Sequence, residues 1–63
     1  MTAKEFADRM AEASIGHDLE LVHIAMDNLL CEYIRALATK HQEDTTEVER
    51  ALNTYLDTEV WYA

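Results

Sequence analysis

The stretch that decides the fold is residues 18–38, DLELVHIAMDNLLCEYIRALA, in which apolar positions recur at intervals of three and four. That interval is the repeat of an α-helix with a wide apolar stripe. At a rise of about 1.5 Å per residue, the helix would span roughly 30 Å, the diameter of a small domain. Leu21 and Ile24 fall outside the stripe, so apolar residues lie on two sides. The helix is therefore predicted to lie between two neighbours or to pair with a second copy.

A shorter helix is predicted before this one, over residues 3–14. Thr2 and Glu5 have the spacing of a capping box, in which each side chain bonds the backbone N–H of the other residue. Phe6 and Met10 belong to a modest apolar face. Gly16 follows the end of this helix and suits a left-handed position after a helix C-terminus.

A third helix is predicted over residues 46–58, after a polar loop of residues 39–46. Thr46 and Glu49 repeat the capping-box spacing, and Asp44 with Glu47 offers an alternative start. The residues expected to face inward are Val48, Ala51, Leu52, Tyr55 and Leu56.

The composition favours an all-helical chain. The 63 residues include no proline and one glycine, which disfavours a turn-rich β fold. Short connections between the helices favour an up-down-up arrangement. We therefore predict a small all-α three-helix bundle with a long central helix, folded as a single helical domain over residues 1–63.

The charge excludes some partners. A net charge of -8 disfavours direct binding of nucleic acid or of an anionic membrane, because both attract basic proteins. No run approaches the roughly 20 apolar residues of a membrane span. The lone cysteine, Cys31, and the lack of a recognisable signal peptide predict a reducing, cytoplasmic location.

One group of side chains on the central helix could carry chemistry. Glu20 and His23 form a Glu-x-x-His motif, and Asp27 and Cys31 follow at intervals of four, so a metal-binding or enzymatic helix bundle is an alternative. The simpler interpretation makes His23 a hydrogen-bond partner of Asp27 and Cys31 a small buried side chain. There is no second Glu-x-x-His, phosphate loop or serine elbow, so we expect no enzyme activity, no catalytic residue, no metal ligand and no cofactor.

Acidic and aromatic side chains are the candidate partner-binding residues. The carboxylates form two groups, one along the first helix and one around the start of the third, and spaced carboxylates can imitate the phosphates of a nucleic acid. Trp and Tyr are frequent anchors of protein interfaces. The predicted partner-binding residues are Glu5, Asp8, Glu12, Glu43, Asp44, Glu47, Glu49, Trp61 and Tyr62.

Two segments carry a resemblance. The run HIAMDNLLCE at residues 23–32 and the WYA of residues 61–63 resemble a set of small phage and prophage proteins. Small acidic helical phage proteins include anti-CRISPR proteins, to which this chain is similar in size and charge. The resemblance implies a phage-derived inhibitor in the host cytoplasm, a DNA mimic that binds a basic host protein such as a CRISPR effector complex. The further alternative is a homodimeric structural phage protein.

Overall fold

The computed structural model describes residues 1–58, and this part of the chain folds into three α-helices without a β-strand. The helices are α1 (Ala3–Ala13), α2 (Leu19–Lys40) and α3 (Thr45–Asp57). At 22 residues, α2 is the longest of them. The predicted all-α architecture, three helices with a long central one, is confirmed.

Each helix begins at a side chain that accepts hydrogen bonds from otherwise unpaired backbone N–H groups. Thr2 and Glu5 form the predicted capping box. Asp18 and Asp44 cap α2 and α3, each through one carboxylate oxygen that accepts from two N–H groups. The third helix thus begins after Asp44, the alternative start, and not after Thr46.

The end of α2 lies two residues beyond the predicted one. Gln42 adopts a φ of 56°, in the left-handed region. Its N–H donates to the carbonyl of Thr39 at 3.2 Å, and the N–H of Glu43 donates to the carbonyl of Ala38 at 2.9 Å. These two bonds form a Schellman motif, which satisfies the last carbonyls of a helix. The predicted loop of residues 39–46 is therefore wrong at both ends, because its first two residues complete α2 and its last two begin α3.

The expected conformation of Gly16 is also wrong. The φ of Gly16 is not positive, and Ser14, the C-cap residue that follows α1, retains right-handed helical geometry. What requires a glycine is space, since a Cβ added at residue 16 would lie 2.7 Å from Cγ2 of Val22. The connection between α1 and α2 passes directly over the first turn of α2.

Both short helices run antiparallel to α2. The ring of Phe6 stacks on that of Tyr33, with centroids 4.3 Å apart, so the start of α1 lies beside the second half of α2. On the other helix pair, Tyr55 bonds to Asp27 and Glu49 to Arg35. The up-down-up order predicted from the short connections is present.

The three helices form a single layer. Within residues 1–58, α1 and α3 each contact α2 but not each other. The Cα positions extend over 37 × 29 × 9 Å. Two stacked helix layers would be thicker, because packed axes lie about 8–10 Å apart and each Cα cylinder is about 4.6 Å wide. The long helix α2 is the middle helix of this flat layer.

The buried side chains mark the two seams of this layer. Val22 is buried at the seam with α1, and Cys31, Ala38 and Leu52 are buried between α2 and α3. At about 100° per residue, Val22 and Cys31 lie on opposite sides of α2. Cys31, 2% exposed, is thus the small buried side chain that the sequence predicted. Tyr55 and the other long side chains beside the two seams stay partly exposed.

The two broad surfaces of the layer differ. The helical repeat places the Asp27–Tyr55 bond on one surface and the Arg35–Glu49 pair on the other. The first, here called the apolar face, also carries His23 and is formed by Met10, Leu19, Met26, Leu30, Ile34, Leu37, Val48 and Tyr55. The second, the polar face, carries Asn28, Glu32, Arg35 and Glu49, with the exposed apolar side chains of Leu21, Ile24 and Leu56 among them. Tyr55 and Leu56 were expected to face inward, and they are 44% and 45% exposed because no helix within residues 1–58 covers either surface. Leu19 and Leu37 are exposed for the same reason.

Replacing Gln42 with glycine is expected to stabilise the protein. A left-handed φ costs a side-chain-bearing residue about 1 kcal/mol that glycine avoids, so Gln42→Gly should raise the free energy of unfolding by about that amount. Chemical denaturation followed by circular dichroism measures it. Gln42→Ala, which keeps a Cβ, is the control, and an equal gain in both variants would contradict the explanation.

Replacing Gly16 with alanine is expected to do the opposite. The added methyl meets Val22, whose branched side chain is buried, so Gly16→Ala should lower the free energy of unfolding by about 1–2 kcal/mol. His17→Ala changes an exposed neighbour in the same connection and should leave stability nearly unchanged. A Gly16→Ala protein as stable as the parent would show that this close approach does not matter.

Candidate functional site

The acidic group of α1 is largely paired within the helix. Lys4 Nζ lies 2.9 Å from a carboxylate oxygen of Asp8, and Arg9 Nη2 lies 3.9 Å from Glu5. The Glu5 carboxylate also accepts a hydrogen bond from the backbone N–H of Thr2. That hydrogen bond has the largest effect in lowering the pKa of the Glu5 carboxyl, and the hydrogen bond with the Thr2 hydroxyl has the second largest. All of these side chains are exposed, so a partner could reach them. The α1 group presents alternating charges more than a continuous acidic strip.

The acidic group of α3 carries a larger excess of negative charge. Residues 43–57 contain five carboxylates and one basic residue, Arg50, so they carry a net charge of -4, half that of the chain. Arg50 pairs with Glu47 on the outer side of the helix, at 3.0 Å from its Nε. Asp44 caps the helix, and Glu43 makes no side-chain hydrogen bond or ion pair with residues 1–58. The densest negative charge therefore surrounds the N-terminal half of α3.

Glu49 differs from the other members of this group. Its two oxygens accept from Arg35 Nε at 2.6 Å and Nη2 at 3.1 Å, so the pair is bidentate and joins α3 to α2. The hydrogen bonds from Arg35 lower the pKa of the Glu49 carboxyl, and those to Glu49 raise the pKa of the Arg35 guanidinium. Glu49 was predicted to bind a partner, and the structure gives it a contact that aligns two helices.

A shallow groove runs along the outer side of α3. It is lined by Thr45, Thr46, Glu49, Arg50, Asn53 and Asp57. The exposed lining is more apolar than polar, because the carbon atoms of these side chains supply most of it, with hydroxyl, amide and carboxylate groups among them. The groove is continuous with the acidic N-terminal half of α3.

The predicted polar line on α2 does not form a cluster. Among residues 1–58, no three His, Cys, Asp or Glu side chains come together as ligands of one metal ion. Cys31 is buried at the seam with α3, and Glu20 and His23 are exposed. These side chains therefore lie in different environments, with Glu20 and His23 on the surface and Cys31 buried between two helices.

Asp27 has a partner that sequence reasoning missed. Its carboxylate accepts a hydrogen bond from the hydroxyl of Tyr55 at 2.7 Å. The expected bond with His23 joins residues one turn apart, whereas this one joins residues 28 apart in the chain. The feature of the sequence that could have predicted this bond is the position of Tyr55 among the apolar residues of α3. That position brings the ring to α2 and the hydroxyl to the edge of the seam.

Trp61 and Tyr62, the predicted aromatic anchors, lie outside the described residues. No described helix is both long and apolar enough to span a membrane.

Comparison of the chain with protein-family models, with curated proteins and with solved structures gives no match.

Neutralising Glu49 is expected to destabilise the protein only above acid pH. Since the folded-state pKa of Glu49 is lowered, its contribution is present above its unfolded pKa of about 4.3 and is lost as the pH falls through the folded value. Glu49→Gln should therefore lower the melting temperature at neutral pH and match the parent in strong acid. Thermal unfolding at several pH values measures this.

Two controls test the cause. Glu12→Gln removes an exposed carboxylate that has no partner in residues 1–58, and it should change the melting temperature little at any pH. In an Arg35→Met background, Glu49→Gln should have almost no further effect. A Glu49→Gln defect that persists in strong acid or in that background would contradict the ion-pair explanation.

Proposed function

We propose that this protein is a phage-derived inhibitor that binds a host nucleic-acid-processing protein and blocks access of nucleic acid to its basic surface. The observation that supports it is the concentration of charge, with half of the net charge of -8 on residues 43–57. A basic nucleic-acid-binding surface is the partner that such charge attracts most strongly. In this proposal the protein acts by binding and carries out no reaction.

The N-terminal half of α3 is the principal contact. Glu43, Asp44 and Glu47 lie within five residues at a helix start, and their side chains are exposed. The Glu47–Arg50 pair is on the surface, where an ion pair contributes little to stability. Glu47 can therefore leave Arg50 and pair with an arginine of the partner at little cost in free energy. Asp57 extends the acidic surface along the groove.

The α1 group has a secondary role in this proposal. Lys4 and Arg9 offset two of its three carboxylates and leave a net charge of -1 over Ala3–Ala13. The carboxylate of Glu12, near the end of the helix, has no ion-pair or hydrogen-bond partner in residues 1–58. The two groups lie on opposite edges of a layer 29 Å in its second dimension, so a partner would have to be wide to contact both. We therefore assign most of the binding energy to α3.

A pull-down from host lysate identifies the target, and salt dependence then tests the proposal. The affinity for the retained protein should fall steeply as salt rises from low to physiological concentration, because the contacts are between exposed charges. The nucleic acid that the target binds should compete with the inhibitor. Binding that is indifferent to salt and unaffected by nucleic acid would refute the proposal.

A matched pair of triple variants locates the surface. Glu43→Gln, Glu47→Gln and Asp57→Asn together should weaken binding at low salt by at least about tenfold. Glu12→Gln, Glu20→Gln and Glu32→Gln together remove the same charge from exposed positions elsewhere, and they should weaken binding less. Asp44 is kept in both because it caps α3. An equal loss in the two proteins would mean that total charge, and not the α3 surface, governs binding.

A further inference from the structure

The apolar face is half of a hydrophobic core. Domains are usually built from at least two packed layers, because an apolar stripe is buried only against another element. This chain has one layer, and its buried residues are confined to the seams: Val22, Cys31, Ala38 and Leu52. On the apolar face, Leu19 is 59% exposed and Tyr55 44% exposed. We propose that a second copy of this chain covers the apolar face, forming a two-layer dimer of six helices.

The surface area supports a partner of this size. A standard protein interface buries about 800 Å² of each partner. One broad side of a layer with dimensions of 37 × 29 Å is large enough to supply it.

The charge distribution favours a second copy over the basic partner proposed above. The eight residues that form the apolar face are uncharged, and the titratable side chains beside them on this surface are His23 and Asp27. The carboxylates of α1 and α3 lie toward the edges and the polar face, and Asp27, at the seam, is hydrogen-bonded to Tyr55. A basic protein would gain little at this surface, whereas two identical uncharged surfaces can meet although each chain carries a net charge of -8.

The apolar face requires a partner of matching length. The layer is 37 Å long, and the apolar face extends along α2 from Leu19 to Leu37. A second layer of the same length covers the whole of it.

The proposed interface is two-fold symmetric, as in most homodimers, so each residue of the face is used twice. α2 of one protomer lies against α2 of its partner, with Leu30 and Ile34 in the middle of the face. The outer α3 surface stays free on both protomers. This proposal does not depend on the proposed function, because it concerns a different surface.

The test measures the mass of the full chain in solution over a hundredfold range of concentration by sedimentation equilibrium. The expected result is a reversible transition between 7.3 kDa and twice that mass. The dissociation constant should stay constant or fall as salt rises, since screening reduces repulsion between two acidic chains. This is opposite to the salt dependence of the proposed acidic contact, so the two proposals fail separately.

Two pairs of substitutions locate the interface. Leu19→Lys with Leu37→Lys places charge on the apolar face and should raise the dissociation constant at least about 100-fold, because four buried leucines are lost per dimer. Leu21→Lys with Leu56→Lys, on the polar face, is matched in residue type, exposure and net charge, and should change it less than about threefold. Circular dichroism checks that the helices remain. If lysine reduces helicity, the corresponding alanine pairs replace it, with the same order of effects.

Three results would overturn the proposal. A monomer at every concentration would mean that something other than a second copy covers the face. A dimer weakened equally by both pairs would place the interface elsewhere. A dimer that dissociates as salt rises would show that charges, and not the apolar face, hold it together.

Discussion

The structure depends on the packing of one helix against two neighbours on opposite sides. Val22 meets the α1 connection on one side of α2, and Cys31 and Ala38 meet α3 on the other. Small side chains on the α3 side let the two helices approach closely. Because the seams are about half a turn of the helix apart, α1 and α3 cannot touch. The flat layer follows from the spacing of these few residues along α2.

Two polar contacts fix the alignment of this layer where the apolar contacts are few. The Arg35–Glu49 pair and the Tyr55–Asp27 hydrogen bond lie on opposite surfaces of the α2–α3 seam, about two turns apart on each helix. Sliding or rolling of α3 would break at least one of them. Each contributes modestly to stability because both are exposed, but hydrogen-bond geometry restricts register more strongly than contact between aliphatic side chains does.

The sequence predicted what is decided locally and failed where a distant residue decides. Thr2 was identified as a cap, and Asp44 as one of two possible caps, because a cap and the N–H groups that it binds lie within three residues. Gly16 was misassigned because the contact that requires a glycine is with Val22, in the first turn of the next helix. The Tyr55 partner of Asp27 was missed because it lies 28 residues away in the chain. Gln42 was missed because its left-handed φ has no sequence signal when the residue is not glycine or asparagine. The acidic residues were found as a set, but their pairing with Arg35 and Arg50 depended on the structure.

The two surfaces inferred here would reinforce each other in one complex. Two-fold pairing through the apolar face would leave an acidic α3 on each protomer, so a dimer would offer two copies of the surface proposed to bind a basic partner. When both engage one target, the second contact forms at a high effective concentration and the affinity exceeds that of a single α3. Added salt would weaken the contact between the acidic surface and its target, whereas it would leave the dimer unchanged or strengthen it. A small chain with a limited core would thereby obtain from its own copy both a completed core and a second binding site.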